Sequence, residues 1–284
     1  MMPKLKLSII IGAYKAQDFI EECLDSIQNQ TAFSSSRTTL VAEPSVTERS
    51  RNGRSASCGT VDSVAVSRAS LVTEQSRSVD YEILIGVDGC LPTLKKLLLI
   101  KHKYDNLHIF WMNENKGVYI TFNTLLDHAS GSHVVFFDAD DIMFPDMVVN
   151  MFSRGAPLVI RHHGIQFLER SIFKLTGGFM PWRCAADTEH LTRVKRIIGR
   201  DIVRTEYMYT YRSHPGQLTK APETALNSNL RAGYRQLINS GIIPTTINPI
   251  IHDKYCSIDS EEFKKINIPE DIHFGIASFP EREK

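Results

Sequence analysis

The 284-residue sequence has no run of about 18 or more apolar residues, so no stretch is long enough to cross a bilayer as a helix. Its opening, MMPKLKLSIII, holds too short an apolar run for a secretory leader. Cysteine pairs at metal-binding spacing are also missing: Cys23, Cys58, Cys90, Cys184 and Cys256 are scattered and odd in number. That pattern speaks against a disulfide framework or a zinc site and for reduced thiols. Neither sign of charge dominates, with 33 Lys and Arg against 32 Asp and Glu and a formal net charge of +1. Nucleic acid is therefore not an expected partner, because no polyanion-binding excess exists. Together these absences predict a soluble, cytoplasmic chain with at most peripheral membrane contact.

What is present is an alternation. Ser8 to Ile11 reads as a strand, and from Ala16 the residues Phe19, Ile20, Cys23, Leu24 and Ile27 recur at helical spacing. YEILIGV from Tyr81 is a second strand, ending in Asp88-Gly89-Cys90, and a helix through Leu94, Leu97 and Leu98 follows. Then come a strand at His108 to Met112, a polar turn at Asn113 to Gly117, and a helix through Ile120, Leu125 and Leu126 stopped near Ser130-Gly131. Strands alternating with helices predict an α/β fold: an open, mostly parallel sheet with helices on both faces. Between about 34 and 78 the texture shifts to Ser, Thr, Arg, Val and Ala without aromatics or periodicity, which predicts a disordered insertion. Its mild excess of arginine is the ordinary solvation of a loop.

The chain converges on His133 to Asp141, HVVFFDADD, an apolar strand ending in Asp138, Asp140 and Asp141. Acids so crowded repel one another, and a divalent cation, a basic partner or protonation of one of them relieves this. The same residues also read as a solvated turn before a helix containing Pro145. In an open parallel sheet, ligands bind beyond the carboxyl ends of the strands. Gly12 to Lys15, Asp88, Asn113 to Gly117 and the acid cluster all fall at such ends. Each alone is an ordinary turn; four at one edge predict a site.

SIIIGAYKAQDFIEECLDSIQNQT, YEILIGVDGC and NKGVYITFNTLLDHASGSHVVFFDADDIMFPD resemble the donor-binding half of family-2 glycosyltransferases of the GT-A fold. FKLTGGFMPWRCAADTEHLTR and YRSHPGQLT look like that family's acceptor half, so the resemblance covers roughly residues 5 to 220 outside the insertion. It implies a Rossmann-like sheet, a smaller acceptor-side α+β portion, and transfer of a sugar, with inversion, from a nucleotide-diphosphate sugar, a UDP-sugar by expectation, to a glycan or other hydroxyl acceptor. Donor-binding positions would be Ala13, Tyr14, Asp88, Lys116, Asp138 and Asp140, with Asp88 accepting a hydrogen bond from the base. Asp140, Asp141 and His214 would hold Mn2+ or Mg2+, and an imidazole tilts the choice towards manganese. Asp187 matches the general base, while Gly178, Trp182 and Glu189 would face the acceptor, Glu189 as the fallback base. Without the resemblance, Asp187 reads as a helix N-cap and His214 as a surface loop histidine.

Departures from the family pattern are Gly12-Ala13-Tyr14-Lys15 for its Pro-Thr-Tyr-Asn, Val87-Asp88-Gly89-Cys90 for its Asp-Asp-Gly-Ser, Phe122 for an Arg, and Ala186 for an acid. They leave the nucleotide open. No Gln-x-x-Arg-Trp follows Asp187, which speaks against a processive synthase. Two other readings stand beside this one: a haloacid-dehalogenase-like phosphatase, whose strand also ends in Asp-x-Asp, and an inactive GT-A binding module. The catalytic domain is expected to span 1–222. A helix near Leu226 to Ile238 and a tail at 272–284, possible start of a second module, would follow.

Overall fold

The computed structural model describes residues 6–33, 79–160, 165–199, 202–205, 208–241, 256–257 and 259–261. The expected insertion at 34–78 and the tail at 272–284 lie outside the described residues. Strand β1 (Lys6–Ala13) sits mid-sheet between β2 (Asp80–Asp88) and β4 (His133–Asp138), with β3 (Leu107–Met112) beyond β2. These four strands are mutually parallel. Past β4 the sheet turns antiparallel through β7 (Ile165–Glu169) and β6 (Leu158–Ile160), then adds β8 (Val203–Thr205) parallel to β6. At the other edge β10 (Cys256–Ser257) runs antiparallel to β3.

Both faces of the central strands are apolar, as a doubly covered sheet requires. Leu7, Ile9, Ile11, Ile83, Ile85, Val135 and Phe137 point to one face. That side is covered by α1 (Ile20–Gln28), α2 (Leu91–Ile100) and α4 (Met147–Arg154). Ile10, Leu84, Phe110, Val134 and Phe136 point to the other, where α3 (Val118–His128), α5 (Arg170–Thr176) and α6 (Ala186–Ile198) pack. The first helix begins at Ile20 rather than at Ala16, because Ala16 to Phe19 form a turn whose amide at Ala16 donates to Thr93 Oγ1 at 3.0 Å. No helix among the described residues is long and apolar enough to cross a membrane.

One polar cluster ties the opposite end of the sheet. Glu82 accepts from Ser8 Oγ at 2.6 Å and from Ser130 N and Oγ at 2.7 Å each, and Lys6 pairs with it at 3.1 Å. Burial works against its charge, but the Ser8 and Ser130 hydrogen bonds hold the carboxyl at about 2.

At the flanks of the insertion, Val79 N donates to Ala32 O at 3.1 Å, and the rings of Phe33 and Tyr81 stack at 3.7 Å. The two ends of that segment therefore meet.

Candidate active site

The carboxyl ends of β1, β2, β3 and β4 share one edge, and the residues beyond them form the site. At β2, Asp88 is 3 % exposed, and its two carboxylate oxygens accept the backbone amides of Lys116 at 2.7 Å and Gly117 at 2.8 Å. These amides open α3, which has no side-chain cap of its own. Asp88 thus fixes the 113–117 turn to the sheet, and its carboxylate faces this turn rather than open solvent where a base was expected. Gly89 makes the contact possible: at φ +66° it is left-handed, and a Cβ there would lie 2.5 Å from Asn115 N. Lys116 directs its ammonium to Glu114 at 2.8 Å.

At β1, Ala13 is buried and Tyr14 is about half exposed, with Lys15 Nζ 5.2 Å from its ring centre. Among the described residues, the non-glycine positions with positive φ are Lys15 at +54° and Ala185 at +65°. Both flank this edge, as strained backbone at a working site often does.

At β4, burial, and then the charges of Asp140, Asp141 and Asp187, push the carboxyl of Asp138 well above the carboxylate range. A two-residue ribbon brings a partner to these acids. Strand β5 (Ile142–Met143) pairs with β9 (Tyr209–Thr210), so the chain after β9 returns to residues 140 and 141. His214 Nε2 lies 2.7 Å from Asp140 Oδ2, and its ring packs on Phe19 at 4.6 Å. The expected Asp140–His214 pairing forms. Asp141 takes another path: it is 1 % exposed and its Oδ1 accepts from Arg212 N at 2.9 Å, so it braces the ribbon. The three-ligand set expected from Asp140, Asp141 and His214 does not converge; no group of three such side chains does so among the described residues. Asp140 and His214 are the two that meet, and a carboxylate beside an imidazole is a donor pair that suits a divalent cation.

Asp187 lies in the first turn of α6, near enough to Asp138 for its charge to act there. It is not the N-cap; Ala185 holds that position in the left-handed conformation. Tyr119 OH donates to Asp187 Oδ1 at 3.1 Å, and Gln166 Nε2 donates to its carbonyl at 3.1 Å. Burial, then the Asp187 charge, raise the Tyr119 phenol well above its ordinary value, so it remains a donor. Behind Gln166, His190 Nδ1 lies 2.9 Å from Gln166 Oε1, and its ring stacks on Phe173. Burial, then the Arg193 charge, keep His190 neutral.

Glu189 does not face an acceptor. It is 1 % exposed and locked to Arg193 by two hydrogen bonds, at 2.8 and 2.7 Å, one helical turn on. The same guanidinium donates to the carbonyls of Thr176 and Gly178. Gly178 sits against Asn123, whose Oδ1 would be 2.2 Å from a Cβ, and Asn123 holds Phe179 N at 2.7 Å and Phe179 O at 2.8 Å. The expected Gly-Gly-Phe bend is there, as a structural bracket for α6. Trp182 is half-buried, and its ring stacks at 4.2 Å on Tyr234 of α7 (Asn229–Ser240).

Residues 69–160 match the family model described as glycosyl transferase family 2. That segment, about a third of the chain, is similar to a family-2 glycosyltransferase domain. Among solved structures, the mannosyltransferase PcManGT from Pyrobaculum calidifontis, in complex with GDP-Man and Mn2+, superposes with a TM-score of 0.54 at 15 % identity, over 88 % of this chain and 68 % of that one. S. aureus TarS in complex with UDP-GlcNAc gives 0.52 at 15 %, over 85 % and 72 %. Glucosyl-3-phosphoglycerate synthase from Mycobacterium tuberculosis, with Mn2+, UDP and glucosyl-3-phosphoglycerate, gives 0.52 at 14 %, over 84 % and 81 %. No curated protein matches by sequence. Likeness at these identities is likeness of the GT-A fold. The contact of Tyr119 with Asp187 is one that sequence reasoning missed; its one signal was a place just after the 113–117 turn.

Proposed function

We propose that the protein transfers a sugar, with inversion and without processivity, from a UDP-sugar to a hydroxyl of an acceptor. The observation carrying this reading is that two groups meet at one sheet edge: Asp140 bonded to His214 after β4, and Asp187, held by Tyr119 at the start of α6, near enough for its charge to act on Asp138. An acceptor hydroxyl attacks the anomeric carbon from the side away from the nucleotide, and Asp187 takes its proton. The oxygen of the sugar–phosphate bond keeps the bonding electrons and leaves with UDP. Asp140 and His214 would hold Mn2+ or Mg2+, which supplies neutralisation of the charge growing on the diphosphate. Tyr14 and Ala13 border the place for the nucleoside; with Asp88 bonded to the turn, backbone groups at this edge are left to meet the base. The fold neighbours with UDP, UDP-GlcNAc or GDP-Man bound support a nucleotide-sugar donor.

A panel of UDP- and GDP-sugars, followed by thermal shift with and without Mn2+, tests the donor. UDP-sugars are expected to raise the melting temperature only with the metal. Stabilisation by no nucleotide sugar, or full transfer activity in excess chelator, would overturn the reading. A product retaining the donor's anomeric configuration would remove the inverting role of Asp187.

A further inference from the structure

Arg231 in α7 is a buried cation that the donor chemistry above does not use. It is 8 % exposed. Its Nε donates to Thr224 O at 3.1 Å and Ala225 O at 3.3 Å, and Nη2 donates to Thr224 O at 2.9 Å. These acceptors are neutral carbonyls, which anchor the guanidinium without neutralising its charge. No carboxylate among the described residues pairs with it. Nη1 is left for a ligand. One helical turn on, exposed Arg235 sits on the same side of α7, and two like charges at this spacing repel.

The stack of Tyr234 on Trp182 seats this part of α7 beside the loop that leads into Asp187. The reach of the two charges agrees with that placement. Arg231 acts on Tyr119 and on Cys184, and Arg235 acts on Cys184, three residues before Asp187. Asp138 registers Asp140, Asp141 and Asp187 but neither arginine. The paired cations therefore stand by Asp187 rather than by the acids at the end of β4.

We propose that Arg231, backed by Arg235, binds an anionic group on the acceptor, so that the substrate is a hydroxyl compound carrying a phosphate or a carboxylate. This rests on Asp187 being the base that marks the acceptor side. A guanidinium suits either anion, since both present oxygens to its N–H edge. Trp182 and Tyr234 supply an apolar wall beside the charge.

Calorimetric titration of the full chain, saturated with UDP and Mn2+ to fill the donor side, reads the site directly with glycerol 3-phosphate, lactate and glycerol as probes. One or both anions are expected to bind and glycerol not, and the stronger anion names the group. Arg231→Gln should weaken the anion by about 10-fold or more, the usual worth of a charge-assisted hydrogen bond. Arg235→Gln, at an exposed position that folding does not need, should weaken it by about 3-fold. UDP affinity should stay unchanged in both. Equal binding of glycerol, no anion binding, or anion affinity unmoved in Arg235→Gln and in a folded Arg231→Gln overturns the proposal. If UDP fails to bind at all, the glycosyltransferase reading falls instead, and the anion titration without UDP still decides the role of Arg231.

Discussion

Asp187 meets the protein at both of its ends, its carboxylate taking the Tyr119 hydroxyl and its carbonyl the Gln166 amide. The first contact orients the proton acceptor; the second fixes the helix turn that carries it. Asp187→Asn keeps the shape but cannot take a proton, so transfer is expected to fall about 10²-fold or more with UDP affinity unchanged, checked by initial rates beside a UDP titration. Tyr119→Phe removes one hydrogen bond to a charged group and should lower kcat by roughly 10-fold while leaving the donor KM in place. Asp187 was singled out because its distance from Arg193 matches a family motif. Tyr119 was not, since an aromatic at the start of an apolar helix looks like any core residue. Asp88 was placed correctly but not aimed: a strand end does not reveal which way a carboxylate turns. The pairing of Glu189 with Arg193 was visible in principle as an i, i+4 spacing, and the acid took an acceptor role only by its nearness to Asp187.

At the scale of elements, β1 to β4 and the helices between them were readable because apolar runs and helical spacing dominate there. The β5–β9 ribbon was not, as two residues per strand carry no period, and yet it is what returns His214 to Asp140. The contact of Val79 with Ala32 bears on the segment between them, because a short linker can join ends already held together. Replacing residues 34–78 with a brief Gly-Ser linker should give soluble protein with unchanged UDP affinity. Insoluble or unfolded protein in circular dichroism would show that the segment is needed.

For the whole molecule, the Glu82 cluster joins β1, β2 and the turn before β4 into one unit at the end away from the site. With its folded-state value held at about 2, below the ordinary 4.5, Glu82 contributes stability that is full above about pH 4.5 and lost as pH falls towards 2. The amount is about 3 kcal/mol at most. Urea unfolding at several pH values should show this loss, and Glu82→Gln should flatten it. The parallel run of β1 to β4 followed from alternation, whereas the antiparallel return through β7 and β6 did not, because neither strand differs in texture from a parallel one.

The Asp88 clamp has a kinetic meaning. Helix α3 starts at amides held by Asp88, and its second residue, Tyr119, touches Asp187, the base in the proposed reaction. A nucleotide seated at the 113–117 turn is thus one rigid helix away from the group that must be aligned before an acceptor can react. The two substrates should therefore enter in a fixed sequence, donor before acceptor. Product inhibition checks this: UDP should compete with the sugar nucleotide and act noncompetitively against the acceptor, whereas a random order without dead-end complexes would make it competitive against both.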